Sequence, residues 1–342
     1  MVRALEWVDE EGALRIIDQT VLPTDERYFD ITSVDALVQA IVSLAVRGAP
    51  ALGAAGAFGV VIAMNEATAN SWDPARLQSE VDKIRTARPT AVNLAWGVDQ
   101  ASAVMSQGID AVLVRAKDVM AEDEAANRQL SKLGADWILE RCGKSKVSIV
   151  THCNTGALAT AGWGTAYGII HELFDRQALT LVYADETRPL LQGARLTGWE
   201  LEQNGIPYVI EADGASSSTI LNGRVDVAII GADRIAANGD SANKVGSVAL
   251  ALACQRRGIP FIVAAPFSTV DLAIASGDEI AIEERDQKEV LEFATVRTTP
   301  RGAVGFNPAF DVTPHDLISA IVTERGVVEP SRPGSSLSGL AS

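Results

Sequence analysis

The residues with the clearest chemical potential are Cys153, in Thr151-His152-Cys153-Asn154-Thr155-Gly156, and Asp233, in Gly231-Ala232-Asp233-Arg234. Each follows a short apolar run of strand length, 147–151 for the first and 225–230 for the second. A partly buried carboxylate can act as a general acid or base, because desolvation raises its pKa. A thiol at a turn into a helix would feel the positive end of the helix dipole, which favours thiolate. Plainer readings compete: most free cysteines are small buried hydrophobes, and an aspartate after a strand often caps a helix or pairs with a neighbour such as Arg234. For each residue alone the two readings stand level. A thiol and a carboxylate on one sheet edge form a more specific pair.

Asn243-Lys244 follows ten residues after Asp233 and is expected at the start of a helix, where a lysine can hold a phosphate. It is not part of a GxxxxGK[ST] loop, so nucleotide hydrolysis is not supported, and a solvated lysine is the competing reading. Arg47-Gly48-Ala49-Pro50 interrupts two apolar helical stretches. There Gly48 permits close backbone approach to a ligand, and Arg47 can bind phosphate through two donors. Arg88 in Arg88-Pro89-Thr90-Ala91-Val92-Asn93-Leu94 has a similar setting; both segments also read as ordinary loops. Gln192 offers a hydroxyl-binding amide. Trp96 and Trp163 fit core packing better than a pocket wall. His152 could shuttle a proton, although strand alternation would turn it away from Cys153. Cys142 and Cys254 read as packing residues.

These residues need a framework. Apolar residues recur at helical spacing from Val34 to Ala63, with Ser33 as a cap and Pro50 in the first turn of the second helix. The stretches 73–86 and 110–142 are amphipathic, so the region is mainly helical. The exceptions are two short strands, 3–8 and 13–18, that could pair. From Lys146 onward, apolar strands alternate with helices at 147–151, 180–184, 208–210, 225–230 and 261–265. Continuous apolar strands separated by helices indicate a parallel sheet covered on both faces, with ligands beyond the carboxyl ends of its strands. The fold class is therefore α/β, with a mostly helical N-terminal domain (1–125), a Rossmann-like catalytic domain (126–328), and a Ser/Gly/Pro-rich tail (329–342) expected to be disordered.

Composition narrows the function. A formal charge of -15 repels phosphodiester backbones, so no nucleic-acid partner is expected, and any phosphate pocket must use local basic residues. Three cysteines without CxxC spacing and three histidines without a ligand pair argue against disulfide and zinc frameworks. No basic-then-apolar leader and no run of about 18 uncharged apolar residues is found, so a cytoplasmic protein without a membrane span is expected.

Taken together, the segments around Arg47, Arg88, Cys153 and Asp233 resemble the methylthioribose-1-phosphate isomerase family. So do Asp185-Glu186-Thr187-Arg188-Pro189, Gln192-Gly193-Ala194-Arg195-Leu196-Thr197, Asn243-Lys244 and Asn307-Pro308-Ala309-Phe310-Asp311-Val312-Thr313-Pro314. The resemblance spans roughly residues 3–328 in order. It implies an aldose–ketose isomerase of methionine salvage with Asp233 as proton donor and Cys153 stabilising the transition state. Arg47, Gly48, Ala49, Arg88, Gln192, Asn243 and Lys244 would hold a small sugar-phosphate substrate. It further implies a homodimer that needs no metal, nucleotide or other cofactor. The wider superfamily includes ribose-1,5-bisphosphate isomerase and regulatory subunits of a translation-initiation exchange factor, so fold alone does not settle function.

Overall fold

The N-terminal apolar alternation forms an antiparallel meander of β1 (Leu5–Val8), β2 (Ala13–Ile17) and β3 (Tyr28–Ile31), with Leu5 opposite Ile16 and Leu14 opposite Ile31. The first two strands match the expected pair. The third is mostly exposed and carries no alternating apolar signal of its own. The computed structural model describes residues 2–88, 91–332 and 335–341. They divide into one unit of Met1–Gln129 with Thr155–Gly168 and another of Leu130–Asn154 with Ile169–Ser342.

In the first unit, α1 (Val34–Val42) starts where the Ser33 hydroxyl accepts the Ala36 N–H. Helix α2 (Ala49–Asn70) has Pro50 in its first turn, where the missing N–H leaves no bond unmade. Helices α3 (Pro74–Arg85) and α4 (Val92–Ser102) follow, and α5 (Ile109–Cys142) runs on into the second unit. The α2 helix is long and apolar enough to cross a membrane, a feature the absence of a long uncharged run did not anticipate. It is instead a core helix, 78% buried in its most apolar stretch. Its small residues let α4 approach closely: a Cβ on Gly97 would fall 1.9 Å from the Gly53 carbonyl oxygen. Phe58 stacks on Trp7, with ring centroids 5.4 Å apart.

In the second unit, the chain alternates as expected: β4 (Val147–Thr151), α6 (Ala166–Asp175), β5 (Leu179–Asp185), α7 (Gly198–Gln203), β6 (Tyr208–Glu211), α8 (Ser216–Leu221) and β7 (Val227–Ile230). It continues through β8 (Arg234–Ala236), β9 (Ser241–Lys244), α9 (Ser247–Arg257), β10 (Phe261–Ala264) and β11 (Val270–Asp271). The remaining elements are α10 (Lys288–Leu291), the hairpin β12 (Glu292–Phe293) with β13 (Val296–Arg297), β14 (Phe310–Thr313), β15 (Ala320–Thr323) and β16 (Gly326–Val328). The main sheet has the order β16-β15-β10-β7-β4-β5-β6, parallel throughout except for β16. Strands β7, β10 and β15 are buried at every position, which is why β7 and β10 read as unbroken apolar runs; β15, which ends in Thr323, was not among the strands expected from sequence. Each large aliphatic side chain sealed there contributes roughly 1.5–3 kcal/mol. Strands β8, β9, β11 and β14 form a second, smaller sheet, which the sequence reading lacked.

The tail is not a free end throughout. Leu337, in a short 3₁₀ turn, is 2% exposed and joins the core of the second unit, because an apolar residue amid Ser and Gly finds a place to bury. Pro333, Gly334 and Ser342 of that tail, like Pro89 and Thr90 of the Arg88 segment, lie outside the described residues.

Candidate active site

Strand β4 is the first of the parallel strands, with β5 and β6 on one side and β7, β10 and β15 on the other. The β4–β7 boundary is thus the point where the connections reverse, and beyond the carboxyl ends of such strands ligands bind. Thr151 of β4 pairs with Ile229 of β7. Cys153 follows two residues after β4, and Asp233 follows three residues after β7. The two residues singled out from sequence therefore leave adjacent strands at the switch point.

Cys153 is half-buried and has a left-handed backbone, φ +66°. The helix expected after it is absent. Residues 157–159 form one 3₁₀ turn, and α6 begins only at Ala166. Gly156 and Gly164, both in the first unit, make the intervening loop turn too tightly for a helix: a Cβ on Gly164 would sit 2.8 Å from Gly156 Cα. Cys254 packs in the core as anticipated, whereas Cys142 is only half-buried, its Sγ 3.9 Å from the Asp226 carbonyl oxygen. Burial pushes the Cys254 thiol up to about 12 and also raises that of Cys142.

Asp233 marks the corner between the main sheet and the four-stranded sheet, its N–H donating to the Ala242 carbonyl at 2.8 Å. The neighbouring Arg234 guanidinium is held by Asp271, with Nε 3.1 Å from Oδ2. Asn243 and Lys244 are not at a helix start; they end β9, paired with Asp311 and Phe310 of β14. Helix α9 begins three residues later, behind Gly246 at φ +114°. Nor is Lys244 a solvated side chain. It is 7% exposed, donates from Nζ to the Ala309 carbonyl at 2.7 Å, and lies 4.7 Å from the Phe310 ring centroid. An ammonium so held is oriented in advance for an anion. Asn243 is also buried and donates to Ser247 Oγ at 2.9 Å.

Gln192 precedes a π-helical turn, Gly193–Thr197, a rare distortion that often marks functional sites. Its side chain is 6% exposed, and its Oε1 is buried with no hydrogen-bond partner among the described residues, so it suits a hydroxyl donor. In the first unit, Arg47, Gly48 and Ala49 lead into α2, and Arg88 precedes α4. Gly48 is required there: its φ is +100°, and a Cβ would fall 2.3 Å from the Ala159 carbonyl oxygen.

The His152 side chain enters a buried network that the sequence reading missed. Its Nδ1 lies 2.7 Å from Asp185 Oδ2 and its Nε2 2.9 Å from the Val245 carbonyl. Ser216 donates to the other Asp185 oxygen. Asp213 accepts the Thr187 and Arg188 N–H groups at 2.7 Å each. His152, Asp185 and Asp213 place three ligand-type atoms within 4.8 Å of one another, but these side chains are engaged with protein partners. The available signal was the density of polar residues after β5; what each would bind was not legible.

Burial disfavours the imidazolium, but the Asp185 hydrogen bond and charge, with Asp213 and the Val245 carbonyl, hold the His152 pKa above 6.5. Burial pushes the Asp185 carboxyl up as well. We assign the shared proton to the ring, because further carboxylates, Asp213 and Asp311, act on it. A group with a raised folded-state pKa stabilises fully below its unfolded value and loses that contribution as pH rises through the folded value. Stability is therefore expected to fall as pH climbs above about 6.5, and His152→Asn should flatten that slope. Urea unfolding across pH 6–9 tests this; equal slopes in both proteins would contradict it.

The family model described as the initiation factor 2 subunit family matches residues 45–330. A probable bifunctional methylthioribose-1-phosphate isomerase/methylthioribulose-1-phosphate dehydratase of Nocardia farcinica is 49% identical over 95% of this chain, which spans 59% of that longer protein. The methylthioribose-1-phosphate isomerase of Alkalilimnicola ehrlichii is 47% identical, covering 96% of this chain and 94% of its own length. The crystal structure of 5-methylthioribose 1-phosphate isomerase from Pyrococcus horikoshii OT3 superposes with a TM-score of 0.86 at 36% identity, over 96% of this chain and 93% of that one. The structure of translation initiation factor eIF-2B subunit delta from A. fulgidus gives 0.84 at 35% identity, over 97% of each chain. With its switch-point geometry and these matches, the chain belongs to the initiation factor 2 subunit family, among the methylthioribose-1-phosphate isomerases.

Proposed function

We propose that this protein isomerises 5-methylthioribose 1-phosphate to 5-methylthioribulose 1-phosphate, a step of methionine salvage. The observation that carries the reading is the exit of Cys153 and Asp233 from neighbouring strands at the switch point. Support comes from the likeness, over nearly the whole chain, to isomerases of that name.

The chemistry constrains the roles. The anomeric oxygen carries phosphate, so ring opening cannot release a free aldehyde. Asp233 donates a proton to the ring oxygen as its bond to C1 breaks, balanced by the proton that leaves the C2 hydroxyl as the ketone forms. Hydrogen passes from C2 to C1 either as a proton through an enol phosphate or as a hydride. Cys153 is the base of the first route or stabilises developing charge in the second. The residues assigned to substrate binding are Arg47, Gly48, Ala49 and Arg88 in the first unit and Gln192, Asn243 and Lys244 in the second; the cationic side chains among them suit a phosphate. On the same reading the protein acts in the cytoplasm as a homodimer.

A second reading, a regulatory subunit without turnover, draws on the likeness to the initiation-factor structure. Incubation of the purified protein with methylthioribose-1-phosphate, ribose-1,5-bisphosphate and 5-deoxyribose-1-phosphate separates the readings. Ketose formation is expected to be fastest from the methylthio sugar. Preference for another sugar would move the protein to a related pentose-phosphate isomerase, and no turnover would favour the regulatory reading.

A further inference from the structure

Cys153 and Thr187 both hold left-handed backbones, φ +66° and +64°, and neither is glycine. For the β-branched Thr187 such a φ is a genuine outlier, and outliers of this kind persist only where their surroundings over-determine them. Here the surroundings are explicit. The Asp213 carboxylate takes the N–H groups of Thr187 and Arg188 and so holds the Thr187 backbone. The Thr187 hydroxyl donates its one proton to the Asp185 carbonyl at 3.1 Å, which turns a lone pair toward Cys153. That lone pair accepts the Cys153 N–H at 2.9 Å. From the other side, the Thr197 hydroxyl donates to the Cys153 carbonyl at 2.7 Å and accepts from Asn154 Nδ2 at 3.3 Å. Asn154 is in turn fixed by Glu200 at 2.5 Å. Thr187, Thr197, Asn154 and Glu200 are all buried.

We propose that Thr187 and Thr197 are positioning residues for Cys153, their hydroxyls gripping both main-chain polar groups so that the thiol is presented in one orientation. Donors and acceptors balance: each hydroxyl spends its proton on a carbonyl and offers a lone pair to an N–H. The arrangement resembles an adjustable mount. Thr197 closes the π-helical turn that begins after Gln192, so the geometry of that turn and the direction of the thiol are linked. The catalytic consequence rests on the isomerase reading above, whereas the grip itself does not.

The test uses the full chain with Thr187→Val and Thr197→Val, each nearly isosteric but without the hydroxyl. Two quantities are read: kcat and KM for methylthioribose-1-phosphate, and the rate at which iodoacetamide alkylates Cys153, followed by peptide mass spectrometry. Small misplacement of a reacting group can cost up to about 10²-fold, so kcat should fall about tenfold or more while KM stays within about threefold. The alkylation rate should shift by at least about threefold, and Thr→Ser at either position should restore both readouts. If a valine variant does not fold, alanine, which lacks the β-branch disfavoured at positive φ, takes its place. Unchanged kcat and alkylation in folded variants would overturn the proposal. So would an equal loss with serine, which points to packing alone. Absence of turnover in the parent protein would defeat the isomerase reading, and the alkylation rates would still decide the grip.

Discussion

Asp233→Asn is expected to lower kcat by at least about a hundredfold while leaving the fold intact, because general acid–base catalysis contributes about 10²–10⁴-fold. The substitution preserves size and leaves the main-chain bond from residue 233 to the Ala242 carbonyl in place. It removes the group that can deliver a proton to the ring oxygen. KM should change little, since the lost interaction belongs to the transition state and not to uniform binding. Steady-state kinetics of the purified variant, beside its thermal unfolding curve, give the answer. A kcat within about threefold of the parent corresponds to ~0.7 kcal/mol of barrier, too little for a proton donor, and would falsify the assignment. The chain's charge of -15 makes this residue's setting notable: carboxylates are plentiful, and what distinguishes Asp233 is its place beside β4 at the switch point.

The largest expected effect on stability comes from one methyl group. In Gly193→Ala the new Cβ would lie 1.7 Å from the Asp185 carbonyl oxygen and 2.7 Å from Thr187 Oγ1. The first neighbour is backbone at the end of β5, so no rotamer change relieves the clash. Either the π-helical turn or the strand end must move, and both belong to the frame that holds Cys153. Overpacking of this kind costs about 1–3 kcal/mol where side chains yield and more where backbone must shift, so a loss of at least ~3 kcal/mol is expected. Gly214→Ala is the control: nothing lies within 4 Å of the Cβ it would add. Thermal and urea unfolding of the two variants should separate them clearly. Similar stability in both would mean that the turn after Gln192 yields without cost.

What was legible in the sequence was what short-range physics determines. Ser33 and Pro50 marked helix starts because caps act over three or four residues, and both do so here. The buried strands β7 and β10 announced themselves as apolar runs because a two-faced parallel sheet leaves them no polar position. Strand ends then pointed to Cys153 and Asp233. Long-range contacts decided the rest. The small sheet of β8, β9, β11 and β14 joins segments up to some seventy residues apart, so Asn243 and Lys244 read as helix when they are strand. Lys244 is buried because Ala309 and Phe310 arrive from a distant strand to cover it. The left-handed Cys153 is held by Thr187 and Thr197, and His152 by Asp185 and Val245. No local pattern encodes those pairings. Residue types and strand ends named the reacting groups, but the aim of the thiol depends on hydroxyls and carboxylates that only the folded sheet brings to it.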